Sequence, residues 1–197
     1  MARITAGKHA SKKDLITNKA ALLFRTRGFA AASMRELAEM LGVEAPSLYN
    51  HIGSKSELLQ NICFATANEF TLQLDAVESN IKDTAAKQIE QVIRFHIRMM
   101  LEKFDEVYVA NHEWKYLPDP YLGNFLNQRR NYEKRLTVML EEGIRKKELR
   151  PLNAYIAVLT ILSAVRGLEF WHRSNREVPA TVLENSMTDH LLKGLIK

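Results

Sequence analysis

The stretch Ser33-Met-Arg-Glu-Leu-Ala-Glu-Met-Leu-Gly-Val-Glu-Ala-Pro-Ser-Leu-Tyr-Asn-His-Ile-Gly-Ser-Lys-Ser-Glu-Leu59 spells two short helices around a glycine turn, with a third helix opening behind them. Ser33 and Glu36 have the spacing of a capping box, in which each side chain satisfies a backbone N–H that the first helical turn leaves unpaired. Met34, Leu37, Ala38 and Leu41 repeat at helical spacing, so one face is expected to be buried. Gly42 stands where a left-handed residue ends a helix without a Cβ clash. A second helix is expected from Ala45 and Pro46, because proline suits a first turn whose N–H groups have no intrahelical partner. Leu48 and Ile52 face inward there, and Ser47, Tyr49, Asn50 and His51 stay outside. Gly53 precedes a second capping box, Ser54 with Glu57. Two helices joined in this way form the unit that enters the major groove of DNA.

Leu41-Gly42-Val43, Leu48-Tyr49-x-His51 and Gly53-Ser54-Lys55-x-Glu57-x-Leu59 resemble the DNA-binding signature of TetR/AcrR-family transcriptional regulators. The resemblance implies an all-α fold, a homodimer and a ligand-binding C-terminal domain. Two positions depart from the family pattern. Glu44 replaces the usual Ser or Thr cap of the recognition helix, which suits the helix dipole but repels phosphate. Pro46 stands where many members have glycine.

By this resemblance Tyr49, His51 and Lys55 fall on phosphate contacts. A phenol, an imidazole and an ammonium can each donate to a phosphate oxygen, as can Ser33 and Lys12. Ser47 and Asn50 are candidates for base edges, and Ala45 for a thymine methyl. The competing structural roles are solvent exposure for Asn50 and capping for Ser47.

Charge is divided along the chain. Residues 1–55 carry nine Lys or Arg against four Asp or Glu, whereas the other 142 residues carry nineteen of each. The whole formal excess of +5 therefore lies in the DNA-binding part. An anionic polymer suits such a segment, since each neutralised phosphate releases counterions. The single cysteine, Cys63, has no internal disulfide partner and sits in an apolar helical pattern, which reads as a buried thiol in a reducing compartment. The N-terminus lacks the continuous apolar core of a signal peptide and no segment is expected to reach the length of a membrane span, so a cytoplasmic protein without a membrane partner is expected.

The apolar periodicity predicts about nine helices: a three-helix helix-turn-helix domain over 1–53 and a larger helical ligand-binding and dimerisation domain over 54–197. Residues 1–10, with Arg3 and Lys8, read as a mobile arm. The first helix is expected from Ser11 to Arg27. A long helix from Ser54 to about Asn80 joins the domains, and Asp83 is expected to cap the next. The run Leu117-Pro118-Asp119-Pro120 is a break. Helices from about Tyr121 to Lys147, from Pro151 to about Trp171 and from Pro179 complete the bundle. The last two carry more apolar residues than one stripe holds, so a homodimer through them is expected.

Phe95, His96, Met99, His112 and Trp114 fall on segments expected to face Tyr132, Phe170 and Trp171. Met, aromatic and polar groups together suit an apolar small-molecule cavity, although such residues in a bundle are more often plain core. Arg166 is the only charge between Ala154 and Leu168. If buried, it needs Glu169 or an anionic ligand as counter-ion. A second resemblance rests on His112-Glu113-Trp114, Arg129-x-x-Tyr132, Gly143-Ile144 with Glu148-Leu149-Arg150, and Trp171-His172-Arg173. These are similar to the C-terminal domain of members that regulate fatty-acid, aromatic-acid or sterol catabolism and commonly sense acyl-CoA thioesters. It implies that Arg94, Arg98, Arg129, Arg130 and Arg166 meet CoA phosphates. Gly167-Leu168 departs from the bulkier residues common there.

The expected function is a ligand-responsive regulator that binds a double-stranded operator as a dimer and is released by an apolar or acyl-CoA effector. A constitutive DNA-binding protein without an effector is the alternative. The chain lacks the His-Glu-x-x-His spacing and the nucleophile elbow of hydrolytic enzymes, so neither catalysis nor a metal or other cofactor is called for.

Overall fold

The computed structural model describes residues 12–173 and 178–196. The expected N-terminal arm with Arg3 and Lys8, the Ser11 helix start and the Arg173 side chain lie outside the described residues. The fold is all-α. Its segments are α1 Lys12–Arg27, α2 Met34–Leu41, α3 Ala45–Leu48, α4 Lys55–Ser79, α5 Ala85–Glu102, α6 Phe104–His112, a 3₁₀ turn Trp114–Tyr116, α7 Tyr121–Arg145, α8 Ala154–Arg166, α9 Leu168–Arg173 and α10 Ala180–Lys193.

Among the described residues the nine expected helices appear as ten α-helical segments, because the helix read from Pro151 to Trp171 breaks at Gly167. Beyond it the Phe170 N–H bonds the Gly167 carbonyl at 3.0 Å, a tightened turn. The helix also begins later than expected, where Asn153 caps it by accepting the Ile156 N–H at 3.0 Å. Thr84, not Asp83, caps α5, accepting the Lys87 N–H at 3.3 Å. Asp83 instead accepts from Asn80 and Gln91 at 2.9 and 2.7 Å.

One expectation needs correcting. Residues 154–172 form a 19-residue run of mean hydropathy 1.4, long and apolar enough by length and composition to cross a membrane. Its apolar character has another physical use: Val158, Ile161 and Val165 are buried while Tyr155, Ile156 and Leu159 are exposed, so α8 is apolar on two sides. Arg166 and Glu169 also lie within it.

The chain forms two compact units. The first groups described residues 12–67 with 105–127. Its core joins Ile16, Ala20 and Phe24 of α1, Leu37 of α2, Leu48 of α3, and Leu58, Leu59 and Ile62 of α4 to Val109, Ala110, Leu117 and Phe125. Cys63, the single cysteine, is in no disulfide and is buried in this core. Packing thus groups the chain differently from the functional division read at 53/54, because α6 and the start of α7 complete the core of the first helices.

The second unit groups residues 68–104 with the described part of 128–197. Here α5 packs against α8, α9 and α10. Arg94 and Arg98 of α5 both pair with Glu184 of α10, at 3.4 and 3.0 Å. The α5 start is tied to the end of α7, where the Glu148 carboxylate accepts the Ala85 N–H at 2.6 Å.

Candidate nucleic-acid interface and effector region

In the first unit the capping box of α2 is complete. Ser33 Oγ accepts the Glu36 N–H at 3.2 Å, and Glu36 Oε2 accepts the Ser33 N–H at 2.8 Å. The Ser33 hydroxyl lies a further 2.9 Å from the same carboxylate oxygen. Hydrogen bonds from the Ser33 side chain and backbone hold the Glu36 carboxyl below its usual range, with Arg27 and Lys55 assisting. Ser33 is thus committed to a carboxylate that stays ionised. Gly42, at φ 66°, ends α2 in the left-handed region, and its N–H reaches back to the Ala38 and Glu39 carbonyls.

The recognition segment is shorter as a regular helix than its sequence suggests. α3 ends at Leu48, and Glu44 at its N-cap makes no side-chain capping bond. The chain continues as a turn in which His51 and Ile52 N–H both bond the Leu48 carbonyl, at 2.9 and 3.1 Å. Leu48 and Ile52 are buried, which turns Tyr49, Asn50 and His51 outward; Tyr49 is 52% exposed and the other two are exposed. Ser47 is half-buried. Ala45 is half-buried and packs against the apolar core. Lys12 stands exposed at the head of α1.

Behind this turn Glu57 Oε2 accepts the Gly53 N–H at 2.8 Å while its own N–H bonds Ser54 Oγ at 3.0 Å. The second capping box therefore closes one residue further back than the Ser54–Glu57 spacing implies. A Cβ on Gly53 would lie 2.3 Å from Glu57 Oε2, so a larger residue there would require the Glu57 carboxylate to shift from this capping bond. Lys55 is not a free phosphate contact at rest. Its Nζ lies 4.4 Å above the centre of the Phe29 ring and 3.4 Å from the Ala30 carbonyl, and partial burial lowers its pKa.

In the second unit an aromatic and polar cluster forms around Phe70 of α4. The ring stacks on His96 at 4.4 Å and meets Phe95 and Tyr132 edge-on at 5.7 and 6.1 Å. His96 Nε2 and the Tyr132 hydroxyl are 2.8 Å apart. Burial pushes the His96 imidazole down to about 4, and burial raises the Tyr132 phenol against the opposing charge of Arg135. Both groups are therefore neutral near pH 7. Gln73, almost one turn beyond Phe70 on α4, has a buried amide oxygen without a hydrogen-bond partner. Neither Phe70 nor Gln73 stood out in the sequence, because Phe70 at helical spacing reads as the apolar face of a connecting helix and a single Gln carries no signal of its own.

The structure brings Phe95, His96 and Tyr132 together, with Met99 buried on the same helix as the first two. Arg129 and Trp171 are half-buried in this unit. Phe170 is 74% exposed and Arg166 is exposed, so the guanidinium carries no burial penalty and needs no buried counter-ion. His112 and Trp114 belong to the first unit: His112 lies 4.3 Å from the Tyr108 ring, and Trp114 packs on the first unit's core. Arg94 and Arg98, read as CoA phosphate contacts, are committed to Glu90 and Glu184.

A buried inner face behind exposed Tyr49, Asn50 and His51, led by a glycine-closed helix and followed by a capped one, defines a helix-turn-helix DNA-binding protein. Residues 16–62 match the family described as bacterial regulatory proteins, tetR family, and residues 82–195 match the tetracyclin repressor-like C-terminal domain. The chain belongs to the TetR family of bacterial DNA-binding transcriptional regulators. It is 26% identical over 155 residues to the HTH-type transcriptional repressor KstR2 of Mycolicibacterium smegmatis, covering 77% of this chain and 74% of that protein. Its fold matches that of the ketosteroid transcriptional regulator KstR2 of Mycobacterium tuberculosis, with a TM-score of 0.86 at 19% identity over 99% of this chain and 100% of that one. AibR, solved in complex with isovaleryl coenzyme A and operator DNA, matches with a TM-score of 0.79 at 21% identity, covering 94% and 98%.

Proposed function

We propose that this regulator is a cytoplasmic repressor that binds its operator as a homodimer and is released by an apolar or acyl-CoA effector. DNA contact belongs to residues 1–53 with Lys55 just behind them, and effector binding and dimerisation to residues 54–197. The observation that carries the effector reading is the neutral His96–Tyr132 pair, packed against the half-buried rings of Phe70 and Phe95. Such a pair offers hydrogen bonding without charge in an apolar setting, which suits an acyl or ring portion carrying a carbonyl or hydroxyl. The name of KstR2 as a repressor and the isovaleryl coenzyme A bound to AibR support the same reading. The apolar residues exposed on α8, Tyr155, Ile156 and Leu159, with Val182 of α10, support dimerisation through these helices rather than contact with a membrane.

In the repressor mechanism, the effector favours a conformation in which the two recognition segments no longer span both half-sites, roughly 34 Å apart or a multiple of it, and affinity falls. The test uses a duplex that the protein selects from a random-sequence library. Isovaleryl-CoA, a long-chain acyl-CoA, a sterol-derived acyl-CoA and free CoA are titrated against the complex. At least one thioester is expected to weaken binding about tenfold or more, within the usual range of allosteric coupling. Unchanged affinity with every thioester counts against this effector class. Equal affinity for the selected and mixed-sequence duplexes, with a steep salt dependence, favours the constitutive alternative.

A further inference from the structure

The segment that closes α6 carries a group of contacts aimed at the DNA-binding face. Glu113, immediately after α6, accepts the Phe29 N–H through Oε2 at 3.0 Å. Tyr116, ending the 3₁₀ turn, lays its ring 5.4 Å from the Phe29 ring at an interplanar angle of 32°. Phe24 supports the same ring edge-on at 5.2 Å. The Lys55 ammonium lies over Phe29, 4.4 Å from the ring centre. Phe29 is thus held by its backbone and one aromatic neighbour from the far part of the chain, and it in turn holds a cation at the head of α4.

We infer that Glu113 and Tyr116 are positioning residues for the Lys55 phosphate contact, acting through Phe29. The inference rests on the reading of Lys55 as a DNA contact. A lysine carries about 2 kcal/mol of rotamer entropy, so a free ammonium must be ordered when it meets phosphate. Resting on an aromatic face keeps the stem extended and the charge in place, and it leaves the N–H donors able to turn to an anion. Glu113 fixes the backbone at Phe29, and Tyr116 limits the tilt of its ring. The phosphate grip is therefore set from residues 113–116, about 60 positions away in sequence and outside the helix-turn-helix itself.

The test measures the full chain by two readouts. The first is the acylation rate of the Lys55 amine by an N-hydroxysuccinimide ester in the DNA-free protein, resolved by peptide mass spectrometry. The second is the slope of log K against log salt for the selected duplex and for a mixed-sequence duplex. Lys55→Met is expected to lower the slope magnitude by about one per protomer, the amount one phosphate contact contributes. Tyr116→Ala and Phe29→Leu are expected to raise Lys55 labelling severalfold and to lower affinity roughly threefold to tenfold. In the Lys55→Met background they are expected to change affinity no further. Tyr116→Phe keeps the ring and is expected to behave as the native protein, and Glu113→Ala to show the same effect as Tyr116→Ala in weaker form. Circular dichroism and the melting temperature identify a variant that fails to fold, in which case Tyr116→Leu replaces Tyr116→Ala. Native Lys55 labelling in Tyr116→Ala overturns the inference. Altered labelling with unchanged affinity for both duplexes overturns it as well. Lack of preference for the selected duplex defeats the operator reading alone, since labelling and the mixed-sequence slope still judge the positioning role.

Discussion

His96 and Tyr132 are two side chains whose surroundings strongly alter their chemistry. The imidazole falls from an ordinary 6.5 to about 4 because burial disfavours its charged form. Its proton is therefore bound in the unfolded chain but not in the folded one between those values. Stability from this group is complete above pH 6.5, declines as pH falls towards 4 and then levels, a loss of order 3 kcal/mol from the usual 1.36 kcal/mol per unit. Urea unfolding at stepped pH checks this, and His96→Gln is expected to flatten that part of the profile. Tyr132→Phe removes the hydrogen-bond partner of the His96 ring and is expected to cost about 1 kcal/mol in the same assay. If the pair also meets the effector, Tyr132→Phe weakens the response to a thioester while leaving affinity for the selected duplex at its native value. Neither residue could be paired from sequence, because they lie 36 positions apart on different helices.

Helix ends were the most legible elements, and the departures from them are local. The Ser33–Glu36 box and the Gly42 stop formed as spaced, since capping is chemistry between near neighbours. The Ser54–Glu57 box closed on Gly53, and the α5 cap moved to Thr84, because such donors and acceptors have more than one partner within reach. Ser33→Ala is expected to cost about 1 kcal/mol in thermal or chemical unfolding, the usual worth of an N-cap. Gly143 of α7 follows a different logic. A Cβ there would lie 2.5 Å from the Ala85 Cβ and 2.8 Å from Leu149 Cδ1. Gly143→Ala is therefore expected to destabilise by about 1–3 kcal/mol through overpacking, although alanine is the better helix former. Lys147, just after α7, holds φ at 63°, in the left-handed region. Lys147→Gly is expected to raise stability by roughly 0.5 kcal/mol by removing a Cβ clash.

For the assembled regulator, the decisive feature is the apolar residues exposed on α8 and α10. Ile156 is 59% exposed and Val182 50%, an arrangement that water alone does not favour. Ile156→Asp with Leu159→Asp is expected to shift sedimentation velocity from dimer to monomer. Affinity for the selected duplex should then fall by a factor of a hundred or more, because two linked half-sites are replaced by one. Unchanged sedimentation would place the dimer contact elsewhere.

By itself the sequence determined the all-α fold and the helix-turn-helix, because these rest on short-range physics: apolar periodicity, caps and glycine stops within a few residues of each other. The family was legible through the resemblance of the motifs between Leu41 and Leu59. The exposure of Tyr49, Asn50 and His51 also followed, since burying Leu48 and Ile52 leaves no other direction for them. Only the tertiary structure decided that α6 and the start of α7 share a core with the first helices and that Lys55 rests on Phe29. It alone joined His96 to Tyr132, paired Arg94 and Arg98 with Glu184, and left Arg166 exposed. Each of these depends on which distant segments meet, and periodicity states only that a face is buried, not what is buried against it.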